Sequence, residues 1–316
     1  MQNTISFTKV IKEELSSNIY ESIDRLKALL SAYIRINGSL VFHQKSSSLL
    51  LKTENAKIAK FIYKSLEDIY HSDAHFEYLQ KGNMKKTIYS IVLDNNVDNI
   101  LKDLEVSFLE GKISKNVVYN DDTISGYLAG AFLAAGSCNS PHNSNYHLEI
   151  STNSENYSKW LSKLFGKYKN SNIEPKVIKR REKYVIYFKR SDQIADFLIM
   201  IGAVSSCMEF ENVRIDRDFN NSTNRLTNSD LANMKKTYET GKRQCEEIKA
   251  IDEKLGIKNI SNVKERELCL LRLENVSASL LDLADMLSEK LGTHITKSNI
   301  NHLFRSIHEK YVRLLG

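Results

Sequence analysis

An α+β fold built by duplication, followed by an all-α module, is what this sequence predicts, and three observations carry the prediction. Two segments, ALLSAYIRINGS at residues 28–39 and GYLAGAFLAAGS at residues 126–137, share one pattern at an offset of 98 residues. Each is followed by the same succession of strand-like and helical runs. From residue 256 onward the period-2 pattern disappears, and apolar residues recur only at helical spacing.

An amphipathic helix is predicted over residues 6–17, ahead of the first repeat. In each repeat the opening helix carries small residues every fourth position, Ala28 and Ala32 in one, and Gly126, Gly130 and Ala134 in the other. That spacing lines one face, where missing side-chain bulk lets two helices approach closely. Each helix stops at a glycine, Gly38 and Gly136, where a left-handed residue is the expected terminator. After Gly38 come strands SLVFH and SSLLLKT, a helix over about 54–70, strands HFEYLQ and KTIYSIVL flanking KGNMK, and a helix near 97–104. The second repeat answers with YHLEIST, a helix near 155–168, strands EPKVIKR and KYVIYFKR, and a helix near 193–201. Each unit therefore reads α-β-β-α-β-β-α, with halves at about 20–105 and 120–205 inside a domain of residues 1–219. Trp160, with Leu161, Leu164 and Phe165, reads as the apolar face of the helix backing the second sheet.

Residues 220–230, NNSTNRLTNSD, are polar and turn-forming, and predict a linker. A helix over about 231–255 follows, with Leu231, Met234, Tyr238, Cys245, Ile248 and Leu255 along one seam and Gly241 as a weak point. Residues 256–316 predict three short helices. The first covers 263–273. Ser279 caps the second, with Leu280, Leu283, Ala284 and Leu287 on one face, and Thr296 caps the third, with Ile300, Leu303, Phe304 and Ile307. Two amphipathic helices joined by a turn at Gly292, behind a supporting helix, read as helix-turn-helix.

Composition narrows the function classes. Lys+Arg 45 against Asp+Glu 39 gives the 316-residue chain a net charge of +6, too small to establish a nucleic-acid partner by itself. Only 2 Pro and 12 Gly argue against collagen-like or turn-dense folds and for long helices with tight hairpins. Cys138, Cys207, Cys245 and Cys269 are scattered and form no CxxC pair, so neither a disulfide framework nor a zinc finger is indicated. Cys138 itself reads as an ordinary small core residue. The N-terminus lacks the apolar stretch of a signal peptide. The longest nearly apolar run, residues 126–136, is half of the roughly 20 residues a bilayer requires. A cytoplasmic protein without membrane contact is the expectation. His71 and His75 stand four apart without a third ligand and read as a surface loop. No phosphate-binding G-x-x-x-x-G-K-[ST] loop occurs, and neither a metal nor a cofactor is expected.

The paired helices with a small-residue face resemble the LAGLIDADG motif of homing endonucleases, whose two copies form the interface between the halves of a saddle. With NRLTNSDLANMKK, LRLENVSASLLDLADML and ITKSNINHLFRSI, the chain resembles the WhiA family of bacterial DNA-binding transcription regulators. That family joins a degenerate LAGLIDADG-like domain to a C-terminal helix-turn-helix. The most specific residues are Asn224, Arg225, Asn228, Ala232 and Asn233, then Lys297, Ser298, Asn301, His302 and Arg305, supported by Ser6, Phe7, Thr8, Val10, Lys12, Glu13 and Glu14. Two features depart from the family's pattern. Residues 288–295 form a longer stretch than its usual turn, and Leu303 stands where it places a basic residue. The resemblance implies roles in sporulation or cell division, double-stranded promoter DNA as ligand, and RNA polymerase or a sigma factor as partner. The Asn- and Lys-rich composition points to an AT-rich genome and leaves sporulation open.

A LAGLIDADG nuclease needs a carboxylate at the end of each motif helix to hold divalent metal and position water. The matching positions are Asn37 and Ala135, and neither motif contains Asp or Glu, so no catalytic residue is assigned. Two segments stand out as DNA-binding candidates. The hairpin of residues 176–190 carries Lys176, Lys179, Arg180, Arg181, Lys183, Lys189 and Arg190 against Glu182, a net +6 equal to that of the whole chain. Cations alternating with Val177, Tyr184, Ile186 and Phe188 suit a groove floor, while a solvated edge guarded by charge fits them equally well. In the third helix of the C-terminal module, Lys297, Ser298, Asn301, His302 and Arg305 lie away from Ile300, Phe304 and Ile307. Recognition helices use such N-terminal polar residues to reach base edges. The competing reading is a helical protein-interaction scaffold with a polar outer face.

Overall fold

A computed structural model describes residues 5–43, 47–80, 87–108, 116–169 and 171–315. The chain divides into two compact units, one ending at Asp216 and the other beginning at Arg217.

The first unit opens with α1 (Phe7–Leu15), capped by Ser6. Its first repeat comprises α2 (Ile23–Asn37), β1 (Gly38–Phe42), β2 (Ser47–Thr53), α3 (Ala56–Tyr70), β3 (His75–Gln80), β4 (Thr87–Leu93) and α4 (Val97–Asp103). The second repeats the order with α5 (Asp121–Ala135), β5 (Gly136–Cys138), β6 (Leu148–Thr152), α6 (Glu155–Phe165), β7 (Lys176–Arg180), β8 (Lys183–Phe188) and α7 (Ser191–Ile201). The strands form two antiparallel sheets of matching order, β1-β2-β4-β3 and β5-β6-β8-β7. The α-β-β-α-β-β-α reading of both halves therefore holds among the described residues. The KGNMK turn of the first repeat lies outside them.

The two halves meet where α2 packs on α5. A methyl added at Gly126 would lie 2.3 Å from the Arg25 carbonyl oxygen, and one at Gly130 2.1 Å from that of Leu29. Backbone thus touches backbone, as the four-residue spacing of small side chains required. The terminal glycines work differently from the expectation. Gly38 (φ −79°) and Gly136 (φ −76°) are extended and lead straight into β1 and β5 instead of adopting a left-handed turn. They are needed for space: a Cβ at Gly136 would sit 2.2 Å from the Phe132 ring, and one at Gly38 2.5 Å from the Ile34 carbonyl.

Apolar residues of α2 and α5, of α3, α6 and α7, and of the inner sheet faces form one continuous core. Phe132, Phe165, Phe188 and Phe197 cluster in it with ring centroids 5.5–5.9 Å apart. Leu161, Leu164 and Phe165 are buried as predicted, while Trp160 is only partly buried against Tyr127 and Tyr157. Cys138 is buried, and burial pushes its thiol up to about 12, which removes it as a nucleophile. His71 ends α3 in a left-handed conformation, so His71 and His75 do not share a helical face.

The helix α1 binds distant parts of this unit together. Thr8 Oγ1 donates to the Cys138 carbonyl and accepts from the Cys138 N–H, both at 2.9 Å, which satisfies the end of β5. The Glu14 carboxylate accepts from the N–H groups of Ser205 and Ser206 at 2.7 and 2.8 Å, and from the Ser206 hydroxyl at 2.5 Å. It thereby caps the start of the next helix, α8 (Val204–Leu255), against its positive dipole end.

That helix corrects the sequence reading of residues 220–230, which are helical rather than a linker, and which belong to a helix of 52 residues. Asn, Ser, Thr and Asp cost only a few tenths of a kcal/mol each in a helix, and no Gly or Pro interrupts α8 before Gly241. The first turns are fixed by Cys207 and Phe210 in the first unit's core, and the last by Ile248 and Ile251 in the second's. The expected seam is also shorter than predicted. Leu231, Met234, Tyr238 and Leu255 are exposed, and of the predicted seam only Cys245 and Ile248 are buried, with Ile251 beside them. Gly241 earns its place by proximity: a Cβ there would lie 2.0 Å from the Val276 carbonyl oxygen.

Changing Gly130 to Ala should cost about 1–3 kcal/mol through overpacking, although Ala is the better helix former by about 1 kcal/mol. A urea titration should show a lower midpoint with an unchanged slope, and an unchanged midpoint would mean the helices separate freely.

Candidate nucleic-acid interface

The second unit continues from α8 into α9 (Val263–Glu274), α10 (Leu280–Leu291) and α11 (Lys297–Leu315). Leu268, Cys269, Leu283, Ala284, Leu287, Ile295, Ile300, Phe304 and Ile307 form its core with Ile248 and Ile251. Ser279 and Asp282 make a reciprocal capping box at the start of α10. Gly292 (φ 61°) ends that helix in the left-handed region, so here the glycine acts through its conformational freedom. The long stretch after Ser288 is closed by its own side chain: Ser288 Oγ accepts from the Ile295 N–H at 2.9 Å and donates to the Ala284 carbonyl at 2.6 Å. Thr296 then caps α11, exchanging hydrogen bonds with Asn299.

Lys297, Ser298, Asn301, His302 and Arg305 are all exposed, within about 140° of arc around α11. Ile300, Phe304 and Ile307 are buried on the opposite side. None of the five exposed side chains makes an ion pair or side-chain hydrogen bond among the described residues. Leu303, in place of a basic residue, is partly buried and packs on the core.

One organising residue of this unit escaped the sequence reading. Arg272 is 1% exposed on α9. Its Nη1 donates to the carbonyls of Asn275, Val276 and Ala278 at 3.1, 3.3 and 2.7 Å, and its guanidinium lies over the Phe304 ring, 5.4 Å from the centroid. The α9–α10 connection is thus tied directly to the inner face of α11. The only trace in the sequence is a cation interrupting the apolar run CLLRL.

In the first unit, register splits the basic hairpin between two faces. Pairs Lys176–Tyr187, Ile178–Val185 and Arg180–Lys183 alternate with Val177–Ile186 and Lys179–Tyr184. Val177, Ile186 and Phe188 belong to the core side, so they are not the groove floor expected of them. Ile178, Val185 and Tyr187 lie instead between Lys176, Arg180, Lys183 and Lys189 on the open face. Lys179 points to the helix-covered side, over the Tyr184 ring at 5.8 Å. Arg181 occupies the two-residue turn at φ 53°.

On the open face Arg180 pairs with Glu149 at 3.2 Å, and Glu149 also meets His147 at 2.9 Å. These three line a polar cleft of about 730 Å³ with Lys189, Ser137 and Asn139. By the same register, the corresponding face of the first sheet carries Ser39, Ser48, Leu50, Ser90 and Val92, of which Ser48, Ser90 and Val92 are buried, with Lys52 its one cation among the described residues. The halves match in backbone and differ in charge.

At the motif-helix ends, Asn37 Nδ2 donates to the Tyr33 hydroxyl at 3.1 Å and the Lys52 carbonyl at 2.7 Å. A cleft of about 320 Å³ runs past Asn37 and Ala135, lined also by Arg35, Ser151, Asn153 and Lys183 and, among the described residues, by no carboxylate. Among the described residues no three His, Cys, Asp or Glu side chains converge. This donor set does not fit the hard divalent cation that the nucleases of this fold require.

Duplicated halves joined on small-residue helices, followed by a helix-turn-helix with a free polar face, define a two-module protein of the LAGLIDADG-like type. Its sequence matches the models of three domains: the WhiA N-terminal LAGLIDADG-like domain over residues 24–107, the WhiA LAGLIDADG-like domain over 124–220, and the WhiA C-terminal HTH domain over 223–311. It is 37% identical over 309 residues to a "Probable cell division protein WhiA" of Enterococcus faecalis, covering 96% of this chain and 97% of that one. It is 38% identical over 312 residues to the protein so named in Brevibacillus brevis, covering 96% of each. The crystal structure of full-length DUF199/WhiA from Thermatoga maritima superposes with a TM-score of 0.60 at 24% identity, over 98% of this chain and 99% of that one. The chain belongs to the WhiA family.

Removing the Arg272 anchor should loosen the reading helix without touching its outer face. Arg272→Ala should cost about 2–4 kcal/mol, since three partly buried carbonyls lose a charged donor. Amide exchange should accelerate first in the α9–α10 connection and α11; uniform acceleration along the chain would refute the anchoring role.

Proposed function

We propose that this chain is a sequence-specific DNA-binding transcription regulator linked to cell division, with no nuclease activity of its own. The carrying observation is the outer face of α11. Five polar side chains there have no intramolecular partner among the described residues, while the inner face is fixed by a core and by Arg272. Arg305 suits guanine and Asn301 suits adenine through bidentate hydrogen bonds, while Lys297 and Ser298, in the first turn, suit phosphate. The link to cell division rests on the names of the relatives; sporulation is its counterpart in organisms that sporulate. The lack of a carboxylate pair at Asn37 and Ala135 supports the non-catalytic part of the reading.

The open face of the second sheet supplies a sequence-independent contribution through Lys176, Arg180, Lys183 and Lys189. Lys179 takes no part, because it points the other way. A protein partner such as RNA polymerase or a sigma factor is the second reading, and the exposed apolar residues Phe219, Leu226, Leu231 and Met234 of α8 favour it.

Genome-wide mapping of bound sites, followed by anisotropy titration on one of them, tests the main reading. Arg305→Ala should weaken binding to that site by about 1–3 kcal/mol and relax preference at one base pair. Equal affinity of the native protein for random and mapped duplexes would defeat it. Neutralising Arg180, Lys183 and Lys189 together should lower the slope of log affinity against log salt by up to about 2.7, while Lys179→Gln leaves it unchanged. A slope that responds to Lys179 and ignores the other three would overturn the assignment of faces.

A further inference from the structure

Beside the motif-helix ends lies a second cleft, of about 630 Å³, walled by α1 on one side and by the open face of the first sheet on the other. Ser6, Thr8, Lys9 and Lys12 of α1 face Asn37, Lys52, Thr53, Glu54 and Asn55 across it, over a floor that includes Leu133 and Ala134. Its volume is that of a small-molecule site. Among the described residues, three lysines line it against one acid, Glu54. Lys9 is shared with Glu13 at 3.7 Å, and Glu13 is held more closely by Lys57 at 2.8 Å.

The decisive residue is Lys12. It is partly buried, and no carboxylate or hydrogen-bond acceptor among the described residues answers its ammonium group. Its Nζ lies over the Phe132 ring, 5.9 Å from the centroid. Burial without compensation lowers its pKa from 10.5 to about 8, so the folded protein disfavours the charge it still carries at neutral pH. A buried cation in a polar cavity of ligand size is an uncompensated charge, and a bound anion removes the penalty.

We infer that this cleft binds a small phosphorylated molecule, with Lys12 as the inner cation and Lys52 and Lys9 at the rim. Phosphate is the favoured anion because three separated cations suit a group with many acceptor oxygens better than a single carboxylate. The site is separate from α11 and does not depend on how that helix reads DNA.

The test uses the full-length protein, with inorganic pyrophosphate as the probe and a duplex oligonucleotide in parallel. Pyrophosphate should raise the Tm of the native protein and bind in calorimetry, and Lys12→Met should weaken that binding at least tenfold. Lys52→Gln should weaken it less. Without probe, Lys12→Met should raise the Tm at pH 7, because it removes the uncompensated charge while keeping the stem's packing. No binding of pyrophosphate, or binding indifferent to Lys12, would overturn the inference. So would a Tm lowered by Lys12→Met, which would mark the lysine as structural. If Lys12→Met weakens only duplex binding, the anion is the DNA backbone, and the small-molecule assignment fails.

Discussion

Everything in the first unit depends on the approach of α2 and α5 at Gly126 and Gly130. Helices normally pack 8–10 Å apart because side chains separate them. Here a single methyl at either glycine would fall about 2 Å from a carbonyl oxygen of the facing helix. That contact fixes the spacing of the halves, and each helix then runs directly into the edge strand of its own sheet through Gly38 or Gly136. The positions of both open faces, and of the clefts at the motif ends, are therefore consequences of two missing side chains.

The N-terminal helix α1 is the second constraint. It lies outside the repeat, yet Thr8 closes β5 and Glu14 caps α8, contacts that span about 130 and 190 positions of sequence. Through α1 the same segment that stabilises the start of α8 also builds one wall of the Lys12 cleft. Stability at one end and an unrelieved charge a turn away are held on a helix of nine residues.

What could be read from the sequence was what is local. The strand alternation, the Ser279 cap and the outer face of α11 each rest on spacings within ten residues, the repeat on one short pattern met twice 98 residues apart, and the structure reproduces them. The misreadings share a cause too. Residues 220–230 have turn-like composition, but their helix is anchored by Phe210 on one side and Ile248 on the other, outside any local window. The hairpin's charge was legible while its division into faces was not, because that parity follows from pairing with β6 and β8. Gly38 and Gly136 were identified as helix ends, but their reason lies in the Ile34 carbonyl and the Phe132 ring rather than in backbone handedness. Arg272 was hidden because an arginine among leucines signals burial only once three carbonyls are seen to converge on it.

The duplication makes the backbone two-fold in character, but chemistry at the centre has not followed it. A metal-dependent cleavage site on this scaffold needs equivalent carboxylates from both halves, and here one half offers an amide already bonded to Tyr33 and Lys52 and the other a methyl group. Cations have accumulated unequally around the same point: Lys12 and Lys52 border the cleft on the side of the first sheet, and Arg35 and Lys183 border the one that reaches the second. Catalysis across two strands requires symmetry, whereas binding an anion requires only excess positive charge in the right cavity. Here the clefts at the motif ends are bordered by cations where such a cleavage site needs carboxylates, on helices that keep both ends in place.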